Sequence, residues 1–223
     1  MANARYTIGV DFGGTYVKMA MVRFAERDYK IEGFSFFPTK DYKREELIEQ
    51  LVIRIIKLKA ESTFKGNKVK GVGIGVPGRV DFNKGIVFDL TNVPGWRNVP
   101  LRETLEAKVK VPVYVDNDAN LMALAESKFG AARGRKNCVC VTLGTGIGGG
   151  IILNGEVYRG MNFAAGEIGI SPLMKTDRYA CAAAKAAPSG LWAAGSSLKK
   201  PCGVSSGGRA AWCAIGYRIT TVI

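Results

Sequence analysis

The fold is decided by a short stretch near the start of the chain, YTIGVDFGGT at residues 6–15. β-branched and aromatic residues dominate its first part, which predicts a strand, and Gly13-Gly14 ends that strand. Residues 15–24 also have the composition of a strand, so we predict two strands joined by a glycine turn. The first strand also brings the carboxylate of Asp11 to this turn, where glycines would let backbone N–H groups approach a phosphate. A plain hairpin turn would show the same residues.

The rest of the chain alternates between helix and strand patterns. Residues 43–60 place Leu47, Leu51, Ile55 and Leu58 on one stripe with charges opposite, which predicts an amphipathic helix. Shorter patterns predict strands at 69–76, 112–116, 138–143 and 150–158, and helices at 101–108 and 119–129. This order indicates an α/β protein with a mixed sheet whose glycine loops lie at strand ends.

The composition is that of an ordinary globular protein. Of 223 residues, 47% are hydrophobic and 23% are charged, which excludes a collagen, a disordered tail and a small disulfide scaffold. The chain has no apolar run long enough to span a membrane and no secretory signal, and its five cysteines are irregularly spaced. We therefore expect a cytoplasmic protein with no membrane partner. Histidine is absent, which removes histidine-based acid–base catalysis and histidine metal ligands.

The net charge of +13 invites a nucleic-acid interpretation. However, residues 170–223 hold seven Lys and Arg against one acidic residue, so about half of the basic excess lies in a quarter of the chain. Most of that segment is rich in alanine, glycine and serine without helical or strand periodicity, which indicates an irregular tail. We attribute the basic charge to this tail and expect no nucleic-acid partner.

Two further motifs contain glycine. Residues 144–150, GTGIGGG, hold five glycines in seven positions, and the close approach of a polyphosphate would explain so much backbone freedom. The run also touches the dinucleotide-binding fingerprint, but a strand and not a helix follows it. The segment Gly166-Glu167-Ile168-Gly169 places an acid between two glycines, which is a weak signal by itself.

A cluster of carboxylates and amides, Asp116-Asn117-Asp118-Ala119-Asn120, lies between a predicted strand and a predicted helix. One or two such residues would be enough to cap the helix. The surplus indicates ligand recognition, with one aspartate placed to take a proton from a hydroxyl. Together with two phosphate-type loops, the cluster points to phosphoryl transfer to a hydroxyl group.

As a set, these motifs resemble those of the ROK sugar kinases, of which bacterial glucokinase is the commonest member. The resemblance covers residues 6–169 and rests on six segments in the family's order and spacing: Asp11-Phe-Gly-Gly-Thr15, Gly75-Val-Pro-Gly-Arg79, Asn92-Val-Pro-Gly-Trp96, Asn117-Asp-Ala-Asn120, Gly144-Thr-Gly-Ile-Gly148 and Gly166-Glu-Ile-Gly169. It implies the actin-like ATPase (ribonuclease-H-like) fold, an α/β architecture of two lobes with ATP, Mg²⁺ and the sugar between them. It also implies a hexose substrate, most simply glucose.

The resemblance implies a role for each matching residue. Asp11 would orient Mg²⁺, and Asp118 would be the general base on the acceptor hydroxyl. Phosphates would be held by Gly13, Gly14 and Thr15 in one lobe and by Thr145 and Gly146 in the other. Sugar hydroxyls would be bound by Gly78, Asn92, Asn117, Asp118 and Glu167. Arg79 and Lys18 are interpreted as solvated cations, and Trp96 as a packing residue.

Alternatives remain open within the family. The sugar can be fructose, N-acetylglucosamine or N-acetylmannosamine, the donor ATP or polyphosphate, and the protein a homodimer, as relatives often are. A second class is the sugar-responsive ROK repressor, which carries a helix-turn-helix before the first strand. Five residues precede Tyr6, so we expect no DNA-binding domain of that kind.

The sequence departs from the family after Gly169. The family continues with a histidine and then Cys-x-Cys-Gly-x-x-Gly-Cys-x-Glu, whose histidine and three cysteines hold a structural zinc. Here Ile170 replaces the histidine, and alanines stand at the Cys and Gly positions 180, 182, 183, 186 and 187. A one-base slip of the reading frame can convert all of these codons to the family's residues, and also that of Ser189 if its codon is AGY. A natural alanine-rich tail is the alternative, and in both cases we expect no zinc ligands in this chain.

We accordingly expect three segments. Residues 1–117 form an N-terminal α/β lobe, residues 118–169 a partial C-terminal lobe with the second phosphate loop, and residues 170–223 an aberrant tail that is not natively folded. An incomplete second lobe would leave the sheet of residues 138–158 with an uncovered face and edge. We therefore expect poor stability and little or no kinase activity.

Overall fold

The computed structural model describes residues 5–25, 28–64, 68–90, 93, 95–143, 147–168 and 218–222. Asn92, Thr145 and Gly146 lie outside this described part, and so do the positions of the altered zinc pattern. The chain divides into two compact units, Met1–Asp118 and Ala119–Ile223, here called the N-terminal and the C-terminal unit. None of the helices in the described ranges combines the length and apolar character needed to cross a membrane.

The strands and helices expected through residue 143 are all present. The strands are β1 (Arg5–Phe12), β2 (Tyr16–Ala25), β3 (Asp28–Pro38), β4 (Val69–Val76), β5 (Val80–Asp81), β6 (Ile86–Asp89), β7 (Arg97–Val99), β8 (Val113–Asn117), β9 (Cys138–Leu143), β10 (Ile147–Leu153), β11 (Glu156–Tyr158) and β12 (Arg218–Val222). The helices are α1 (Arg44–Phe64), α2 (Leu101–Val109) and α3 (Asp118–Phe129).

The N-terminal unit is built on a five-stranded sheet in the order β3-β2-β1-β4-β8. β1 runs antiparallel to β2 and parallel to β4, and β4 runs parallel to β8. Because the carboxyl ends of parallel strands meet at the same edge of a sheet, the ends of β1, β4 and β8 are neighbours. This edge carries Asp11, Gly75 and Asp116 in register.

The core of this unit lies where α1 contacts β1 and β4. Alternate side chains of β1, from Tyr6 to Phe12, are buried. The predicted stripe of α1 is buried as well, with Leu47, Leu51 and Ile55 fully enclosed. Burying one such leucine or isoleucine contributes about 1.5–3 kcal/mol, so the packed interior holds the carboxyl ends of the strands firmly in place.

Strands β3 and β5–β7 were not expected. The alternation of β3 is broken at Gly33, which has a φ of 70°, and the register with β2 shifts between Ala20 and Met21. A bulge of this kind hides the period of two that reveals a strand. β5, β6 and β7 span two to four residues each, too few for a periodic pattern.

The C-terminal unit contains a sheet in the order β11-β10-β9-β12. The single strand predicted at residues 150–158 is wrong, because β10 ends at Leu153 and β11 begins at Glu156. Asn154 and Gly155 turn the chain between them, with φ values of 54° and 85°. A two-residue hairpin turn of this type needs positive φ at both positions, and Asn-Gly is its preferred pair. The dipeptide could therefore have shown the break.

Both edges of β9 are paired in this unit. β12 runs antiparallel to β9, with Ile219 opposite Thr142 and Val222 opposite Cys140. The expectation of an uncovered edge is therefore wrong for β9. Residues 218–222 have the β-branched content of a strand, a signal that the alanine-rich residues before them obscure.

Candidate active site

Hydrogen bonds join the turn between β1 and β2 to the segment that follows β3. The N–H of Gly13 donates to the carbonyl of Tyr16 at 3.0 Å and closes the turn. The N–H of Thr39 donates to the carbonyl of Thr15 at 2.9 Å, and the Thr39 hydroxyl donates to the carbonyl of Gly13 at 2.7 Å. Thr39 is buried, so water does not compete for these bonds and the turn is held in one conformation.

Gly13 and Gly14 are glycines for different reasons. A Cβ on Gly13 would lie 2.8 Å from the carbonyl oxygen of Tyr16, closer than real contacts allow. A Cβ on Gly14 would meet nothing within 4 Å. The turn itself therefore requires Gly13, whereas the surface above Gly14 is open, as an approach to the backbone by an anion requires.

Asp11 stands beside this turn at the end of β1 and forms an ion pair with Lys18. The two residues are opposite each other in the β1–β2 hairpin, and Lys18 Nζ lies 3.8 Å from Asp11 Oδ2. Burial raises the pKa of the Asp11 carboxyl, and the charge of Lys18 opposes that shift. Lys18, interpreted above as solvated, therefore acts on the carboxylate that is expected to orient Mg²⁺.

Asp116 lies in the same row across the sheet. Asp11 and Asp116 both pair with Gly75, which has no side chain. The Cα atoms of Asp11 and Asp116 are two strand spacings apart, about 10 Å, and in-register residues point to the same face. Asp116 is buried, and its Oδ1 accepts a hydrogen bond of 2.8 Å from the N–H of Asn117. Asp116 thus fixes the backbone where β8 passes into α3.

Gly78 and Asn117, both expected to bind sugar, are in direct contact. The side-chain amide of Asn117 donates to the carbonyl of Gly78 at 3.1 Å. Gly78 has a φ of 155°, and a Cβ there would clash with the backbone of Asp89. The structure therefore excludes a side chain at Gly78, and the Gly78 carbonyl holds the Asn117 side chain in one orientation.

Asp118, the candidate base, follows Asn117 directly and begins α3. The positive end of the helix dipole lies at this end, where it stabilises a negative charge. Asp118 is partly exposed. Trp96 is buried and packs edge-on against Phe12, with 5.1 Å between ring centroids, which confirms its interpretation as a packing residue.

The glycines that end the second glycine motif lie in β10 and are tightly packed. A Cβ on Gly149 would lie 2.9 Å from the carbonyl oxygen of Gly166. A Cβ on Gly150 would lie 2.6 Å from the carbonyl oxygen of Ala119 in α3. Close packing therefore explains these two glycines, and the expectation that polyphosphate contact explains the whole run is wrong for them.

Glu167 lies in a turn that packs on β10. Its N–H donates to the carbonyl of Ala164 at 3.2 Å, and the N–H of Ile168 donates to the carbonyl of Gly166 at 2.8 Å. Gly166 packs closely against Gly149 of β10, which places the backbone of Glu167 next to this strand. The Glu167 residue itself is partly exposed.

No group of three His, Cys, Asp or Glu side chains within the described ranges could hold a metal ion. A single carboxylate such as Asp11 suits Mg²⁺ in a different way, because Mg²⁺ keeps several waters and is bound through one or two carboxylates together with substrate phosphates. The Asp11 carboxylate, partly exposed beside the open surface of Gly14, fits that requirement.

The sequence pattern of the ROK family matches residues 7–206, most of the chain. The chain belongs to the ROK family. The match confirms the resemblance drawn from the six motifs, and it includes residues 170–206 of the alanine-rich tail.

Curated relatives within the ROK family include kinases and repressors. The glucokinase of Halalkalibacterium halodurans is 40% identical over 166 residues, which cover 74% of this chain and 49% of that protein. The xylose repressor of Bacillus spizizenii is 33% identical over 171 residues, which cover 74% of this chain and 42% of that protein. The chain thus spans about half the length of the curated relatives it matches.

A solved ROK structure gives the fold. The ROK family glucokinase from Streptomyces griseus, in complex with glucose and AMPPNP, matches with a TM-score of 0.65 and 35% identity, covering 76% of this chain and 51% of that one. ROK kinases have the actin-like ATPase fold. The predicted α/β, actin-like ATPase (ribonuclease-H-like) fold of this ROK chain is therefore confirmed.

Two residues of this ROK site were not assigned from the sequence. Lys18 could have been found by hairpin register, because Phe12 opposite Val17 requires Asp11 opposite Lys18. The sequence shows Asp116 as a member of the carboxylate cluster. Its hydrogen bond with the N–H of Asn117 depends on the turn into α3, which no sequence pattern indicates.

Proposed function

We propose that this ROK protein catalyses the ATP-dependent phosphorylation of a hexose, most simply glucose to glucose 6-phosphate. The contact between Asn117 and Gly78 carries the proposal, because it orients a side-chain amide on the residue directly before the partly exposed Asp118. The identity of 40% to a glucokinase supports the same chemistry.

Sugar recognition requires polar groups that pair with several hydroxyls in fixed directions. In this proposal Asn117 offers such a group, since its side chain is already held by the Gly78 carbonyl and its backbone by Asp116. The proposed sugar contacts are Gly78, Asn92, Asn117, Asp118 and Glu167. A site whose groups are fixed before binding loses less entropy when the sugar arrives.

The donor phosphates would be held by Gly13, Gly14 and Thr15 and by Thr145 and Gly146. The open space at the Cβ position of Gly14 supports this role, because an anion can approach the backbone there without meeting a side chain. Asp11 would hold Mg²⁺ through water, and Lys18 favours the ionised carboxylate that such a ligand must be. When bound, Mg²⁺ neutralises the charge that develops on the transferred phosphoryl group.

Asp118 would take the proton of the acceptor hydroxyl. The transition state of phosphoryl transfer is loose, so the hydroxyl becomes strongly acidic only late, and a carboxylate is then a sufficient base. The main tasks of the site are therefore to position the two substrates and to neutralise charge.

A radiometric assay of glucose 6-phosphate formation from ATP tests this proposal. Asp118→Asn is expected to lower kcat by about a hundredfold or more while glucose binding, measured by calorimetry, changes by less than about threefold. Glu103→Gln, an exposed acid on α2, is the matched control. Unchanged turnover in Asp118→Asn would eliminate the base, and a wild-type chain without turnover or glucose binding would eliminate the function.

A second candidate is a non-catalytic, sugar-binding regulator, which the 33% identity to a xylose repressor favours. In that case sugar binding would depend on Asn117, but no phosphorylated sugar would form. The same assay with fructose, N-acetylglucosamine, N-acetylmannosamine and xylose separates the two candidates and identifies the sugar.

We also propose that the altered tail results from a one-base slip near Gly169. The alanines at 180, 182, 183, 186 and 187 and Ile170 stand where a shifted frame would encode the cysteines, glycines and histidine of the family. Sequencing of the coding DNA decides this, because the proposal is wrong if no shifted frame encodes the histidine and the set of cysteines. Restoring the frame is expected to raise turnover above that of the 223-residue chain.

A further inference from the structure

Gly78, a proposed sugar contact, lies at the open end of the β5–β6 hairpin. β5 and β6 pair antiparallel, and the N–H of Phe88 donates to the carbonyl of Arg79 at 3.0 Å, which extends the pairing beyond β5. The same register places Gly78 opposite Asp89. A Cβ on Gly78 would clash with the carbonyl oxygen of Asp89, so the two backbones are in close contact. The position of Gly78 therefore depends on where Asp89 lies.

The side chain of Arg79 crosses this hairpin and contacts two side chains of β6. Arg79 Nη2 lies 3.2 Å from Asp89 Oδ2 and donates a hydrogen bond to it. The guanidinium carbon lies 5.7 Å from the centroid of the Phe88 ring, within the range of a cation–π contact. Arg79, interpreted above as a solvated cation, is 46% exposed in its side chain but is engaged with β6. It thus connects the loop that carries Gly78 to the strand that carries Asp89.

Gly78 needs such support from its neighbours. Glycine has no Cβ and adopts many backbone conformations, so its own preferences do not fix the direction of its carbonyl. That carbonyl accepts the hydrogen bond of 3.1 Å from the side-chain amide of Asn117. The contact with the Asp89 backbone and the ion pair beside it supply the missing constraint. A movement of Asp89 is therefore expected to reach the Asn117 amide through Gly78.

Arg97 is a second cation next to Asp89 and provides a comparison within the same hairpin. It lies opposite Asp89 in the pairing of β6 with β7, and it is exposed. None of the ion pairs formed among the described residues includes Arg97. Arg79 is thus the cation that contacts the Asp89 carboxylate and directly follows Gly78 in the chain.

We propose that Arg79 and Asp89 are positioning residues of the sugar site, whose ion pair fixes Gly78 and thereby orients the side-chain amide of Asn117. This rests on the proposed function, because it concerns the affinity of the same site for its hexose. Neither side chain has to touch the sugar. Because the pair is exposed, its contribution to the stability of the whole unit is small, and its loss is expected to show in sugar binding instead.

Calorimetric titration of the whole chain with glucose tests the effect on affinity. Arg79→Gln and Asp89→Asn are each expected to weaken binding by about fivefold, and the double variant by no more than either single one, because the same pair is lost in all three. Arg79→Lys keeps the charge and is expected to stay within about twofold of wild type. The control Arg97→Gln removes a cation beside Asp89 without breaking an ion pair and is expected to change binding by less than about twofold.

Salt gives a readout that a merely structural role would not move. Glucose is uncharged, so ions do not screen its own contacts. Raising the salt from about 0.05 M to about 1 M is expected to weaken glucose binding by wild type toward that of Arg79→Gln, whose own affinity stays constant. The urea unfolding midpoint of each variant is expected to stay close to that of wild type.

A measurement without sugar separates this proposal from the proposed function. The NMR signals of the Asn117 side-chain amide are expected to shift in Arg79→Gln and in Asp89→Asn but not in Arg97→Gln. Amide signals that stay in place in Arg79→Gln would overturn the positioning role, whether or not the chain binds glucose. A wild-type chain that binds no glucose would eliminate the proposed function, and with it the sugar-binding part of this proposal.

The affinities can contradict the proposal independently. Weakening of the same size in Arg97→Gln would show that the general charge of the hairpin matters and not the pair. Effects of Arg79→Gln and Asp89→Asn that add up in the double variant would show that the two residues act separately. A large fall in the urea midpoint of Arg79→Gln would show a general structural role. Each of these results would overturn the proposal.

Discussion

The two units differ in how their interiors are filled. In the N-terminal unit, buried side chains form a cluster that runs from Tyr6 to Val115 and includes Phe12 and Trp96. In the C-terminal unit, the cluster found among the described residues consists of Ala123, Ala132, Cys138, Cys140 and Ile152. Because hydrophobic stabilisation grows with the apolar area buried, the described residues of the N-terminal unit contribute more of it than those of the C-terminal unit.

Glycine serves the two units in different ways. In the N-terminal unit, Gly78 and Gly13 shape loops at the ends of a well-packed sheet, where ligands are proposed to bind. In the C-terminal unit, Gly149 and Gly150 let backbone approach backbone inside the packing itself. A glycine-rich segment can therefore leave the surface of the backbone open, as at Gly14, or let backbone pack against backbone, as at Gly149 and Gly150.

The largest effect is expected from Gly78→Ala in the N-terminal unit. The new Cβ would overlap the backbone of Asp89 at a φ of 155°, which we expect to cost about 3 kcal/mol or more of the free energy of unfolding in urea. Gly14→Ala, which meets nothing within 4 Å, is expected to change it by less than about 0.5 kcal/mol. Similar losses in both variants would show that the loop at Gly78 adapts.

Gly150→Ala is expected to cost about 1–3 kcal/mol and to act on the C-terminal unit alone. Its Cβ would lie 2.5 Å from the Cβ of Ala123 and 2.6 Å from the carbonyl oxygen of Ala119. Hydrogen exchange should accelerate in α3 and β10 but not in β1 and β4. Leu153→Ala, at an exposed position of the same strand, is the control. Faster exchange in both units would contradict the separation drawn above.

The thiol of Cys140 belongs to the cluster of buried side chains in the C-terminal unit. Burial raises its pKa from 9.0 to about 12. The unfolded chain therefore loses this proton at lower pH than the folded one, so the stability of the C-terminal unit is expected to fall as pH rises from about 9, by about 1 kcal/mol at pH 10. The effect is measured by urea unfolding of the triple variant Cys181→Ser/Cys202→Ser/Cys213→Ser at different pH values. The reference is the same triple variant with Cys140→Ser added. The same pH dependence in both would rule out Cys140 as the cause.

The smallest effect concerns Asp11. Burial raises its pKa, so the charged form is disfavoured in the folded state at neutral pH, and this cost is relieved as pH falls through the folded pKa. Asp11→Asn is expected to stabilise the N-terminal unit at pH 7 by less than about 1 kcal/mol, and the gain vanishes in acid. Lys18→Met is expected to raise the Asp11 pKa further, as followed by NMR of its carboxyl carbon, whereas Lys57→Met is not. An Asp11 pKa unmoved by Lys18→Met would contradict the ion pair.

Elements with a clear period could be predicted from the sequence, and contacts between distant residues could not. β1 could be predicted because its buried residues recur at every second position. α1 could be predicted because its buried residues recur at every third or fourth position. The contact of Asn117 with Gly78 joins residues 39 positions apart, which meet because β4 and β8 are neighbours in the sheet. Local patterns carry no information about that pairing.

The sequence predicts which motifs form the site, but it does not predict how their side chains are arranged. The resemblance named Asp11, Gly78 and Asn117, but the ion pair with Lys18 depends on hairpin register. The glycine content led to a wrong prediction for Gly149 and Gly150, which pack against their neighbours. From the sequence alone, such packing cannot be distinguished from contact with a phosphate.

The central claim is that Asn117, held by Gly78, forms a sugar site next to Asp118. The most direct test is an NMR titration with glucose that follows the backbone amides of Gly78, Asn117 and Asp118. We expect saturable shifts at these three amides that disappear in Asn117→Ala and persist in Asn83→Ala, a change in a surface loop. Shifts that leave these amides untouched, or that persist in Asn117→Ala, would contradict it.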